Sequence, residues 1–477
     1  MKILFAASEA FPFCKTGGLA DVLGSLPVAL AAKGDQVSVV LPLYSQIPAQ
    51  WRQSMTNRGS AYVDLGWRHQ YCGLFSLVYE GVTWYFLDNE QYFHRPSLYG
   101  ELDDGERFAF FSKAVVAMLP AMDSLPDVIH CNDWQTALVP VYLKDAAARW
   151  EAARAIKTVF TIHNIEYQGR FGRDTLGDIF ALGDGWWDDG TMDMDGGVNL
   201  MKGAMLVADA VTTVSPTYAS QLHDPYYAHG LHPIVDMIGP KLTGVLNGID
   251  LKTFDPATDQ AIAANYSTRR MAGKAECKLA LQAALGLRED KDTPIIAMVT
   301  RLAGHKGVDL VCWAFDEIMA TGAQMVVLGT GEDYYEDFFR AQASRYVGRA
   351  AACITYNEGL SHRIYAGSDL YLMPSRSEPC GLSQMIAMRY GSLPIVRETG
   401  GLKDTVQPYN EFTNEGNGFT FDRYEAGLLL DACNRAKTVY FTARDSWDQM
   451  VVRDMAKDVS WENSARQYRD LYLELKP

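Results

Sequence analysis

The chain has 477 residues, 48% hydrophobic and 21% charged, which is long enough for two or more domains and excludes a disordered or fibrous protein. Its 58 acidic and 43 basic side chains leave a net charge of −15, which excludes sequence-independent attraction to nucleic acid or anionic membranes, so any phosphate must be held by local cations. The eight cysteines form no C-x-x-C pair and no cluster at zinc spacing, which points to reduced thiols, no metal and a cytoplasmic location.

Lys2 to Ser8 reads as a strand, and Leu19, Val22, Leu23, Leu26 and Leu30 recur at helical spacing as far as Lys33-Gly34. Gln36 to Leu41 is the next strand, completing one βαβ unit. The turn between them, Lys15-Thr16-Gly17-Gly18, puts a cation and two glycines at a helix start, where unpaired N–H groups and the macrodipole attract an anion. A packing turn with a solvated lysine fits the same residues. The three-glycine dinucleotide fingerprint is missing, and no acidic residue closes the second strand, so an NAD site of the usual kind is not expected. The start Met1-Lys2 enters this strand without a signal peptide, and no run of about 20 apolar residues predicts a membrane span.

Further strands are predicted at Val82 to Leu87, Asp127 to His130, Thr158 to His163, Ala210 to Ser215 and Leu242 to Leu246, alternating with helical stretches as in a doubly wound parallel sheet. Residues 44–80 are too mixed for an assignment. Polar residues follow the strands: Asp133-Trp134, His163-Asn164, Ser215-Pro216 and Asn247-Gly248. In open parallel sheets ligands bind at the carboxyl ends of strands, so these groups are expected to face one crevice. Asn247 to Asp292 is poor in strand signal and holds the domain boundary.

A second alternation begins with strand Pro294 to Thr300 and helix Gly307 to Ala320, followed by strands Gln324 to Leu328, Ala352 to Tyr356, Asp369 to Met373 and Leu393 to Val396. Helices are predicted at Ser361 to Ala366 and Leu382 to Tyr390. In the tail, Trp461, Ala465, Tyr468 and Tyr472 share one helix face that docks on a domain.

Arg301 closes the first strand of this second half and Lys306 precedes the glycine that opens its helix, an arrangement suited to clamping a diphosphate. Glu378 lies in the loop Met373 to Gln384, beside another helix start. A carboxylate there repels phosphate unless it faces the hydroxyl-rich part of a ligand such as a sugar, and a helix-capping glutamate is the alternative. Cys380 has no histidine close in sequence to activate it as a nucleophile. His163-Asn164 fits a base, a hydrogen-bond donor or simple packing, and Tyr356, Trp134, Phe93 and Tyr92 fit either sugar stacking or the core.

The ordered set Lys15 to Val22, Thr161-Ile162-His163-Asn164, Val214 to Tyr218, Leu246 to Asp250, Arg301-Leu302 with His305-Lys306-Gly307, and Pro374-Ser375-Arg376 through Cys380-Gly381-Leu382 closely resembles bacterial glycogen synthases and plant starch synthases. The resemblance spans essentially the whole chain. It implies an α/β fold of two Rossmann-like doubly wound domains facing across a cleft, the GT-B glycosyltransferase architecture. Residues 1–250 would form the acceptor-side domain, 251–455 the nucleotide-sugar domain, and 456–477 a helix crossing back to the first domain.

It further implies transfer of glucose from ADP-glucose to the nonreducing 4-hydroxyl of an α-1,4-glucan with retention, without metal or cofactor. Carried over by position, Glu378, His163, Arg301 and Lys306 would act at the reacting centre. Lys15, Gly17, Gly18, Asp21, Asp133, Asn164, Asn247, Tyr356, Cys380, Gly381 and Leu382 would contact substrate. Three positions depart from the pattern: Asn132 stands where many members carry histidine, Ser383 where threonine is common, and Ile386 where the wider class of transferases has a ribose-binding glutamate. Another nucleotide-sugar donor, such as UDP-glucose, or a non-catalytic glucan-binding protein also fits the residues. A phosphorylase of the same architecture would need a lysine-bound pyridoxal cofactor.

Overall fold

The computed structural model describes residues 1–476, which fall into two compact units: Met1–Gly248 together with the segment from Trp461, and Ile249–Ser460. The first unit carries β1 (Lys2–Ala6), β2 (Gln36–Pro42), β3 (Thr56–Leu65), β4 (Arg68–Tyr79), β5 (Val82–Asp88), β6 (Val128–Asn132) and β7 (Lys157–Ile162). After them come β8 (Arg170–Gly172), β9 (Asp193–Met194), β10 (Gly197–Asn199), β11 (Ala210–Thr213) and β12 (Leu242–Gly244). Nine of these form one sheet in the order β12-β11-β7-β6-β1-β2-β5-β4-β3, while β8, β10 and β9 make a small separate one.

The centre of the large sheet is parallel, with Phe5 beside Val39 on one side and His130 on the other. Ile3 to Ala6 are all buried, as expected of a parallel strand covered by helices on both faces. The unassigned stretch 44–80 is a long antiparallel hairpin, β3 with β4, that extends the sheet edge. Its alternation is hidden because most of β3 is exposed and the register slips between Asn57 and Gly59.

Helix Gly18–Ala32 buries Leu23, Leu26 and Leu30. The C-terminal helix Trp461–Leu475 lays Trp461, Ala465, Tyr468 and Tyr472 into the core of this unit. Asp35 ties the two chain ends together: Oδ1 takes the N-terminal ammonium at 2.7 Å and Oδ2 takes Arg469 Nε at 3.0 Å.

The second unit is built on β13 (Ile295–Val299), β14 (Gln324–Leu328), β15 (Ala350–Cys353), β16 (Leu370–Met373), β17 (Leu393–Arg397) and β18 (Phe419–Phe421), all paired in parallel in the order β15-β14-β13-β16-β17-β18. β15 ends at Cys353, earlier than expected from the sequence, so Tyr356 lies in a loop and is 76% exposed. In both sheets the first strand of the unit, β1 or β13, is flanked by later strands on either side, which makes the crevice at its carboxyl end a ligand-binding position. No helix among the described residues is long and apolar enough to cross a membrane.

Candidate active site

In the first unit the polar groups gather where β1, β6 and β7 end. Glu9, just past β1 and 3% exposed, accepts both the backbone N–H of Thr16 at 2.6 Å and its hydroxyl at 2.7 Å. The anion-binding turn expected at Lys15-Thr16-Gly17-Gly18 is therefore already closed on a carboxylate of the protein. Lys15 Nζ pairs with Asp21 Oδ1 at 2.6 Å, Gly17 is the N-cap, and Gly18 opens the helix without any side-chain cap. Burial raises the pKa of Glu9, although the two Thr16 hydrogen bonds oppose the shift.

Asp133 follows β6 with φ 58° and ψ 178°, a conformation that costs a non-glycine residue about 1–3 kcal/mol. That backbone aims its carboxylate back at the end of β7, where Oδ1 accepts His163 N at 2.8 Å and, more weakly, Asn164 N at 3.5 Å. Desolvation outweighs these two bonds and pushes the Asp133 carboxyl up to about 7. The half-buried His163 places Nε2 2.9 Å from Asn132 Oδ1, and burial lowers its pKa to about 3, so the imidazole is neutral. Behind it, His130 is bonded to Tyr472 of the C-terminal helix at 2.6 Å and to Thr161, a buried polar chain that braces the strand ends.

Asn164 Oδ1 accepts Glu166 N at 3.0 Å, and Asn247, 6% exposed, leaves Oδ1 with no hydrogen-bond partner among the described residues. Among the aromatics, Tyr92 and Phe93 are not available for sugar stacking: both are fully buried around Phe110, because the helix Glu90–Phe93 turns them into the core. Trp134 is half-buried and held edge-on by Phe108 at 5.4 Å.

In the second unit the groups sit past β13 and β16. Arg301 follows β13 and is exposed, and its guanidinium makes no hydrogen bond or ion pair with any described residue. Lys306 Nζ donates to both oxygens of Glu378, at 2.8 and 3.0 Å, and Ser375 Oγ donates to Glu378 Oε2 at 2.9 Å. Two glycines permit this. Gly307, at φ 75°, packs so closely that a Cβ would lie 2.1 Å from Pro374 O, which brings the Lys306 turn against the loop after β16. Gly400, at φ 46°, leaves room for Glu378 O, which a Cβ would meet at 2.0 Å.

Glu378 is not a helix cap, since the helix Ser383–Arg389 has Leu382 as its N-cap residue and no side-chain cap. Cys380 is buried, Gly381 takes φ 71°, and Ile386 sits in the core, where it offers no polar group. Ser375, Glu9 and Asn132 are contributors that sequence reasoning did not single out for these roles. Glu9 was detectable as a polar residue at the end of β1; Ser375 was not, because its partner depends on how the loop turns.

Two families match the chain: the starch synthase catalytic domain over residues 2–237, and glycosyl transferases group 1 over residues 286–446. The glycogen synthase of Anoxybacillus flavithermus is 47% identical, with 100% of this chain and 98% of that protein covered. The glycogen synthase of Ligilactobacillus salivarius is 46% identical with 100% of both covered. Among solved structures, the catalytic domain of starch synthase IV from Arabidopsis thaliana bound to ADP and acarbose superposes with a TM-score of 0.92 at 34% identity over 99% of both chains. Sucrose-phosphate synthase from Thermosynechococcus elongatus has a TM-score of 0.64 at 18% identity over 99% of this chain and 98% of that one, a likeness of fold.

Proposed function

The chain belongs to the glycogen synthase family of GT-B glycosyltransferases, and from that premise we propose that it elongates an α-1,4-glucan with glucose from ADP-glucose, retaining the anomeric configuration. The observation that carries the assignment of roles is the trio Arg301, Lys306 and Glu378 at the carboxyl ends of β13 and β16. Arg301 and Lys306 hold the diphosphate. Glu378, kept in place by Lys306 and Ser375, and His163 contact the glucosyl unit.

In the reaction the bond between C1 of glucose and the phosphate oxygen breaks through an oxocarbenium-like centre. The acceptor 4-hydroxyl attacks from the face the phosphate is leaving, and its proton passes to the departing phosphate oxygen. The electron pair of the broken bond leaves with the diphosphate, whose growing charge the two cations stabilise. No second carboxylate is required as nucleophile, unlike the paired carboxylates of a glycosidase. Lys15, paired with Asp21, contributes to donor binding, and Asp133, Asn164 and Asn247 of the first unit and Tyr356 of the second each contribute substrate contacts.

The test offers glycogen with ADP-glucose or UDP-glucose separately and follows release of the nucleoside diphosphate. Release of ADP that depends on glycogen, with α-1,4 linkages in the product, is expected. Glucan binding without nucleotide release from either donor would refute the enzymatic reading, and a faster reaction with UDP-glucose would refute the donor assignment.

A further inference from the structure

Asn132 is 1% exposed at the end of β6, and every polar atom of its side chain is committed. Its Nδ2 donates to two backbone carbonyls, Ala6 O at 3.1 Å and His130 O at 3.2 Å. A carbonyl oxygen only accepts, so both amide hydrogens are spent there, and turning the amide over would set Oδ1 against two other oxygens. The backbone N–H of Asn132 is tied as well, to Thr136 Oγ1 at 2.6 Å. Oδ1 is thereby fixed as an acceptor facing His163 Nε2 at 2.9 Å.

We infer that Asn132 is a positioning residue: it holds His163 as the Nε2–H tautomer, so that Nδ1 presents a lone pair and accepts a hydrogen bond from a hydroxyl of the donor sugar. The second half of this statement rests on the assignment of His163 to the glucosyl unit made above. The geometry gives one choice at each step. An acceptor opposite Nε2 requires a hydrogen on Nε2, and a neutral ring with its hydrogen there has none on Nδ1. Burial keeps the ring neutral, and the Asp133 carboxyl is bonded to the backbone N–H of His163 rather than to the ring. Nδ1 itself makes no hydrogen bond to a described residue.

The lock is read directly by nitrogen NMR of the full-length protein labelled with 15N-histidine, the His163 signals being identified by their loss in His163→Gln. The expected result is a protonated Nε2 and an unprotonated Nδ1 in the wild type. Asn132→Leu should give a mixture of tautomers. A wild-type His163 protonated at Nδ1, or Asn132→Leu without effect on the tautomer, would overturn the lock; the wild-type spectrum decides even where a variant does not fold.

The acceptor role is tested separately with ADP-glucose analogues in which each sugar hydroxyl in turn is replaced by hydrogen or by fluorine, an atom that can accept but cannot donate. At one position both replacements should raise KM about tenfold, and the penalty should shrink in Asn132→Leu. If fluorine restores normal KM at every position, or no position is sensitive, the acceptor role is refuted together with the contact between His163 and the glucosyl unit, while the tautomer result stands on its own.

Discussion

Lys306 Nζ lies 2.8 and 3.0 Å from the two carboxylate oxygens of Glu378, so the cation assigned to the diphosphate is also the counter-charge of a buried carboxylate. Removing it has two consequences. Lys306→Ala should lower turnover about a hundredfold and destabilise the second unit by about 3 kcal/mol by leaving Glu378 unpaired. Lys306→Ala combined with Glu378→Gln should recover the stability and none of the turnover. Denaturant unfolding beside initial rates separates the two effects.

Arg301 provides the contrast. It is exposed and has no partner among the described residues, so Arg301→Ala should leave unfolding unchanged while turnover falls by the same factor of about a hundred. Near-normal turnover in a folded Arg301→Ala protein would remove the guanidinium from the diphosphate.

Lys15 and Asp21 are each about one-third exposed, 31% and 33% at the side chain, and such pairs contribute about 0–1 kcal/mol. Lys15→Ala should therefore keep the melting temperature and raise KM for ADP-glucose about tenfold, the loss of one charge-assisted contact. Unchanged KM and turnover would remove this lysine from the donor site.

Asp133 makes stability depend on pH. Its carboxyl binds a proton more tightly in the folded chain, with a pKa near about 7, than in the unfolded chain, near 3.8. Between these values the folded state holds the extra proton, so this contribution is full below about 4 and is lost as pH rises through about 7. The neutral buried His163 and His130 act in the opposite sense, losing stability as pH falls below about 6.5. Asp133→Asn should remove the first slope only, so unfolding free energies from pH 5 to 8 should decline less with pH, or rise more, than in the wild type. Parallel profiles for the two proteins would place the Asp133 titration outside this range.

The parallel strands were legible because Ile3 to Ala6, Val37 to Leu41 and Met325 to Leu328 are short, mainly apolar runs alternating with helical stretches. The hairpin Thr56–Tyr79 was not, because an exposed edge with a register slip has no hydrophobic period to read. The chemistry was legible by residue type and obscure by partner. Glu378 stood out as a carboxylate in a glycine- and proline-rich turn, yet its contact with Lys306 depends on Gly307 seating against Pro374, a tertiary fact. The reading of Lys15-Thr16-Gly17-Gly18 as an open anion turn lacked Glu9, which reaches Thr16 from the end of β1. Tyr92 and Phe93 show the converse: aromatic type alone does not separate a sugar platform from a core.

The shared use of Asp35 by Met1 and Arg469 makes the first unit depend on segments more than 430 residues apart in the chain. Residues 1–248 are synthesised before the second unit, but the core they form lacks Trp461, Tyr468 and Tyr472 until the segment that carries them has followed. The second unit is a single contiguous stretch, Ile249–Ser460. The unit whose synthesis begins first is thus the one completed later, because its core stays short of these aromatic side chains until residues 461–472 have been made.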